Sequence, residues 1–269
     1  MANFKLNKLT AHISLCVLLA FYLNKSYAQT GVINYGEIQS MGMGGPIGQD
    51  YNAILIFDKQ HALYITRKDS LEGGHIYKQR TFERGDGTSS SITVATNPEG
   101  FLYYNDRKSK TLFSRDLGFK YVKDSTIDIR WELSKENKTI GDYVVQKATA
   151  SFRGRNYTAW FTTKIPLPYG PWKLSGLPGL ILEAYDTNKE VYWYFKNIEY
   201  PSKKTYLLKP IQGSDENWIP FSKYKKFAIQ TYLNAQMGGR MVAENAGYTN
   251  NQNTKYDMSK SRIEAFKID

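Results

Sequence analysis

The sequence predicts a mainly β domain carrying one helix near its C-terminus. Three observations lead there. Short runs with period-2 alternation recur along the chain, separated by Gly, Pro, Asn and Asp. Tyrosine is abundant, at 21 of 269 residues, and its apolar ring with a polar tip suits a sheet that has one wet face. A single stretch, after Ser222, repeats its apolar residues at helical spacing.

The chain opens on an export signal. Lys5 and Lys8 give a positive start, residues 13–22 are mostly apolar, and Ser26-Tyr27-Ala28 sets small residues where a signal peptidase reads. That run is too short to span a bilayer, so residues 1–28 are expected to be a leader cleaved after Ala28. Residues 29–269 then form one β-rich domain, long enough to bury a sizeable core. Cys16 is the sole cysteine and leaves with the leader. A lipid-modified cysteine needs a small residue before it, and Leu15 is large. The mature chain therefore has no disulfide, thiol nucleophile or Cys-ligated metal. The leader holds three lysines and no acid, so the net charge falls from +11 to +8. That balance favours solubility and tolerates anionic surfaces such as headgroups or acidic glycans. No dense basic block or nucleic-acid motif is present, so nucleic acid is not an expected partner. No later apolar run reaches membrane-spanning length.

The elements follow in order. Residues 51–57 and 61–66 alternate and form a hairpin across Asp58-Lys59-Gln60. Residues 69–90 are polar and Gly-rich, as in a mobile loop. Residues 91–96 and 100–104 form a second hairpin across Asn97-Pro98-Glu99. Residues 111–114, 119–123 and 127–133 continue the meander. The clearest hairpin joins residues 146–152 to 157–162 through Arg153-Gly154-Arg155-Asn156, where Gly154 and Asn156 tolerate positive φ. Prolines at 166, 168 and 171 interrupt the ladder, because proline donates nothing to a central strand. Residues 180–185 and 190–197 are strands, the latter carrying Tyr192-Trp193-Tyr194-Phe195. Ser222 caps the helix, Tyr224, Phe227, Ala228, Tyr232 and Ala235 line one face, and Gly238-Gly239 stops it. An amphipathic helix beside a sheet covers its open apolar face. Residues 250–260 are irregular, and 262–266 add a short strand.

The most informative segment is Gly176-Leu177-Pro178-Gly179-Leu180-Ile181. Loops face water and are usually polar; this connection is apolar, with Gly and Pro setting its backbone. It is either a packed corner with Trp172 as its floor, or an exposed loop that docks a partner or closes a ligand groove. With it stand Gly141-Asp142-Tyr143, Gln146-Lys147-Ala148, Phe152-Arg153-Gly154-Arg155, Thr158-Ala159-Trp160-Phe161, Ile165-Pro166 and Gly170-Pro171-Trp172-Lys173. In these blocks, over residues 141–186, the chain resembles the GLPGLI family, exported proteins of Gram-negative bacteria of largely unknown function. The resemblance implies a half-open β-barrel like those of periplasmic lipoprotein carriers, here an antiparallel sheet with the helix packed on it. Members often carry a cysteine near Val144 or Val145, absent here, so no thiol chemistry carries over. The resemblance also draws notice to Ser70 in Asp69-Ser70-Leu71 and Ser125 in Asp124-Ser125-Thr126. Both resemble O-glycan acceptors of exported proteins in such bacteria, which requires exposed loops.

The search for chemistry is largely negative. His61 and His75 lack partners at ligand spacing, so no zinc site is expected. Met41, Met43, Met237 and Met241 can hold a soft ion, but methionines more often fill gaps or flexible loops. No nucleophile elbow or phosphate loop occurs. No catalytic residue, metal or cofactor is assigned. Asp142, Glu183 and Asp186 keep a carboxylate hydrolase of envelope polymers open as an alternative, if two of them face each other. A purely structural envelope component is a third reading. The leading expectation is an exported, non-catalytic domain that binds an apolar ligand or a cell-envelope partner. Its contact candidates are Trp160, Tyr169, Trp172, Leu177, Pro178 and Leu180, with Tyr192 and Tyr194 extending a surface for apolar groups or stacked sugars.

Overall fold

A computed structural model describes residues 30–268 apart from 41, 84–88, 116–119, 126–127, 205, 207, 209–210, 212–217, 246 and 248–256. The leader and its cleavage site, and Met41, lie outside the described residues.

Twelve strands form one sheet. In chain order they are β1 (Gly31–Gln39), β2 (Asp50–Phe57), β3 (His61–Thr66), β6 (Phe101–Asp106), β7 (Thr111–Arg115), β8 (Tyr121–Ser125), β9 (Glu132–Ile140), β10 (Tyr143–Phe152), β11 (Arg155–Thr162), β12 (Leu180–Asp186), β13 (Val191–Glu199) and β14 (Trp218–Pro220). Their order across the sheet is β14-β8-β7-β6-β3-β2-β1-β13-β12-β11-β10-β9. All pairs are antiparallel except β14 with β8. A separate hairpin, β4 (Tyr77–Glu83) with β5 (Ser89–Ala95), stands beside it. The sheet does not close on itself. It does curl, because Asp124 on β8 ion-pairs with Arg153 in the β10–β11 turn, although β8 and β11 lie near opposite ends of the order.

Alternation explains the strands that the sequence exposed. In β2, Tyr51, Ala53, Leu55 and Phe57 face the core, and β3 answers with Ala62, Tyr64 and Thr66. Asp58 closes their turn by accepting from the amides of Gln60 and His61. The β10–β11 hairpin has a two-residue turn in which Arg153 and Gly154 both take positive φ, 50° and 81°. This is the type I′ arrangement, whose twist matches the strands. Asn156 is an ordinary strand residue, so the positive-φ partner of Gly154 is Arg153. Its guanidinium lies 3.4 Å from the centre of the Phe221 ring and pairs with Asp124, which holds the unusual backbone.

Other expectations need correction. The 69–90 loop holds a 3-10 turn at Asp69–Leu71 and strand β4. Strands β5 and β6 do not pair with each other; β5 pairs with β4 and β6 with β3. Residues 128–131 are irregular, and β9 begins at Glu132. Strand β9 is an edge, charged along its length, and its register shifts opposite Gln146/Ala148. Charge and a bulge are the devices that keep an edge from pairing further. The helix α1 runs Phe221–Asn245, so Ser222 is its second residue and Gly238-Gly239 lie inside it. A helical glycine costs only about 1 kcal/mol relative to alanine, too little to end a helix that hydrogen-bonds onward. Tyr224, Ala228 and Tyr232 are its buried face; Tyr224 and Ala228 pack on Val122 of β8. Residues 262–266 form no strand, because the segment makes one ladder-like bond there, from the Ala265 amide to the Arg153 carbonyl.

Candidate functional site

The segment between β11 and β12 is a braced corner. The Leu180 amide donates to the Ile165 carbonyl at 3.0 Å and the Ile181 amide to the Tyr169 carbonyl at 2.9 Å. Tyr35 donates its hydroxyl to the Ile181 carbonyl at 2.5 Å, and the Trp131 indole donates to the Ser175 carbonyl at 2.8 Å. Leu177, Leu180 and Ile181 are buried, as are Tyr169, Trp172 and Trp160. Each buried aliphatic side chain stabilises by about 1.5–3 kcal/mol. Gly176 takes φ 96°, and a Cβ on Gly179 would stand 2.1 Å from the Thr162 carbonyl oxygen. The first glycine thus supplies a left-handed turn and the second admits a neighbouring backbone. Of the contact candidates in the corner, Pro178 alone is exposed. The exposed-loop reading is therefore corrected: Leu177 and Leu180 are taken up by the protein's own core. Tyr169 and Trp172 line a cavity of about 10 Å³, which is room for one water and no apolar ligand.

Around this corner the chain buries charge. Trp172, at φ 55°, stacks on Trp193 at 5.8 Å, and the turn it makes drives Lys173 inward. The Lys173 ammonium is fully buried and donates to Glu264 Oε1 at 2.8 Å, with the rings of Tyr103, Trp172, Phe221 and Tyr224 5.6–5.8 Å away. Arg153 approaches the same Glu264 oxygen at 3.6 Å and bonds Asp124. Burial raises the Asp124 carboxyl above its ordinary range, and Arg153 and Lys173 offset this in part. Arg155 donates to Asp186 Oδ2 at 2.5 Å and to the carbonyls of Ile263, Arg262 and Ser259. Three cations of residues 153–173 thus clasp the C-terminal segment. A separate buried carboxylate, Glu37, accepts from Tyr64, Gln39 and the Trp193 indole at 2.5, 2.7 and 3.0 Å. Sequence reasoning missed Glu37, Arg155 and Lys173, because charged residues read as solvated. The available signal was the placing of both arginines at one hairpin turn and of the lysine directly after Trp172.

The solvent side of β11–β13 carries a different array. Ala184, Val191 and Trp193 face the core, so Glu183, Tyr185, Tyr192 and Tyr194 face outward. Tyr185 and Tyr192 meet edge-on at 5.9 Å, and Tyr192 and Tyr194 lie 5.5 Å apart with their rings tilted by 41°. The Trp160 indole reaches the Tyr185 hydroxyl at 3.4 Å. Lys138 lies 4.4 Å over Trp160, Lys189 4.9 Å over Tyr185, and Lys196 5.5 Å over Tyr194. Of the sequence candidates, the structure joins Trp160, Tyr192 and Tyr194 here, and adds Tyr185.

The remaining candidates are scattered. Glu183 pairs with Lys138 on the outer face, Asp186 pairs with Arg155 on the inner face, and Asp142 sits in the β9–β10 turn, so the three carboxylates share no cleft. His61 stacks on Tyr104, and His75 lies beside Asp69. No cluster of three metal-ligating side chains occurs among the described residues. Ser70 is exposed in the 3-10 turn; Ser125 is exposed at the end of β8, though its neighbour Asp124 is buried.

The tyrosines dictate a pH response. Burial raises the phenols of Tyr35, Tyr64 and Tyr157 above the ordinary 10.0. Burial, then the Asp50 bond, pushes Tyr194 up to about 12; burial, then Asp106 and Asp58, does the same for Tyr104. The unfolded chain releases these protons near pH 10.0 while the fold retains them. Stability is therefore full below that pH and falls as pH climbs through about 12. In an alkaline titration, tyrosinate absorbance is expected to rise together with loss of the circular dichroism signal. Ionisation of every tyrosine near pH 10 with the fold intact would contradict this.

Residues 152–183 match a family model described as "Protein of unknown function (Porph_ging)". No curated protein sequence matches the chain. Two crystal structures of PNGF-II resemble it. One has a TM-score of 0.46 and 17% identity, covering 74% of this chain and 33% of that one. The other has 0.44 and 16%, covering 72% and 31%. The chain thus spans about a third of the length of PNGF-II. The span that matches the uncharacterised family, 152–183, is the span that carries both arginines of the turn, Lys173 and the corner.

Proposed function

We propose that the chain is an exported, non-catalytic binding domain of the bacterial cell envelope, of the GLPGLI type. Residues 1–28 are its cleaved leader, and residues 29–269 form one domain built as a half-open barrel. The basic, apolar and small-residue order of the first 28 positions supports export. The curl that brings Asp124 to Arg153 supports the barrel.

One observation carries the binding reading. The apolar residues of the corner are consumed by the core, while Tyr185, Tyr192 and Tyr194 stand in a connected row on the wet side of regular strands. Sites built on strands hold their side chains more firmly than sites on loops. The partner is a cell-envelope component that lays an apolar or ring-like surface on this row, with Lys189 and Lys196 flanking it.

The test is co-sedimentation of the purified protein with isolated cell envelopes. Wild-type protein is expected to sediment, and Tyr192→Ala with Tyr194→Ala to weaken this by about tenfold, the loss of two aromatic contacts. Both side chains are half-exposed, so the fold is expected to persist. Sedimentation that the double replacement leaves unchanged would remove the row as the contact, and no sedimentation of wild type would remove the reading.

A further inference from the structure

Helix α1 leaves the body of the protein part-way along. Its first half is packed through Tyr224, Ala228 and Tyr232. Continuing that face at helical spacing leads to Ala235, Gly239 and Val242, which are all exposed, Val242 at 70%. A Cβ built on Gly238 or Gly239 would meet nothing within 4 Å. At these positions the last turns are open, while Arg240 and Ala243 beside them are partly buried.

The opposite face of the helix is one continuous stripe. Lys223, Lys226, Gln230, Asn234, Met237 and Met241 follow at intervals of three and four, and all are exposed, Met237 at 57% and Met241 at 63%. Lysines occupy its packed end and thioethers its far end. Charge on the packed half of the helix is one-sided: Lys223, Lys225 and Lys226 stand there with no acidic residue over positions 221–233. Lys120 and Lys123 of the neighbouring sheet edge extend the same sign, Lys120 lying 5.1 Å over Phe227. No helix among the described residues is long and apolar enough to cross a membrane.

We propose that α1 is a peripheral docking element for an anionic lipid surface. The far end sinks Met237 and Met241 to the level of the acyl boundary, and the lysines of the packed end meet the headgroups. A surface helix needs this pairing, since apolar side chains give depth and basic ones give attraction. Methionine suits the role because its flexible thioether adapts to an irregular apolar surface. Charge complementarity selects the occupant. A second copy would bring lysines against lysines along the same stripe, whereas anionic headgroups neutralise them. This contact is separate from the tyrosine row, and either can fail alone.

The experiment is flotation of protein recovered from cells expressing the full chain, using vesicles of phosphatidylcholine with and without phosphatidylglycerol. Association is expected with the anionic vesicles and to fall as salt rises. Met237→Asp with Met241→Asp, and separately Lys223→Gln with Lys226→Gln, are each expected to weaken it by about tenfold. Circular dichroism is expected to be unchanged, since the four side chains touch no core. Absence of binding to the anionic vesicles overturns the proposal. So does binding that neither pair of replacements alters, or a dimer that Met237→Asp disrupts while lipid binding is absent.

Discussion

Glu264→Ala is expected to destabilise the fold by about 3–5 kcal/mol, the usual result of stranding a buried charge. The stranded charge is Lys173, whose ammonium has no access to solvent and bonds to Glu264 Oε1 at 2.8 Å. Arg153 loses part of its compensation as well, since it reaches the same oxygen at 3.6 Å. The surrounding rings soften the loss but do not replace a carboxylate, because cation–π attraction is weaker than a desolvated ion pair. The pair itself need not stabilise relative to an apolar equivalent. Lys173→Met combined with Glu264→Leu is therefore expected to recover most of what the single change removes. Urea unfolding of the three variants decides it. A loss below about 1 kcal/mol in Glu264→Ala would mean that water reaches Lys173.

Gly179→Ala is expected to cost about 3 kcal/mol, at the upper end for forcing an atom into a packed site. The new methyl would lie 2.1 Å from the Thr162 carbonyl oxygen, and backbone on both sides must move. That movement pulls at the bonds from Leu180 and Ile181 to the carbonyls of Ile165 and Tyr169. Pro178→Ala, at the exposed position beside it, is expected to change stability by less than about 0.5 kcal/mol, as an ordinary surface replacement does. Thermal unfolding of the two variants separates a packing role for the glycine from a general sensitivity of the loop.

Strands with strict alternation, such as β2 and β3, were legible because each buries one face only. Strand β1 was not, since it lies between β2 and β13, carries Gly31 and Gly36, and buries the charged Glu37. Strand β9 hid for the opposite reason: as an edge strand it is written almost entirely in charged and polar residues, the composition of a loop. Pairing of β6 with β3 depends on residues about forty positions apart, which local turn signals do not encode. Helix α1 continues past Gly238-Gly239 because glycine weighs against a helix without forbidding it. The corner was legible as an apolar, glycine-fixed segment, and its burial was one of two readings left open. The clasp of Lys173 and Arg155 on the C-terminal segment joins residues about a hundred positions apart, so no local pattern announces it.

Hydrogen exchange at the amides of Leu180 and Ile181 tests most directly whether the glycine–proline segment is architecture and not a docking loop. Both amides bond to buried carbonyls, so they are predicted to exchange only with global unfolding, alongside the core of β11 and β12. Exchange at the rate of an open loop, while the neighbouring strands stay protected, would contradict the account.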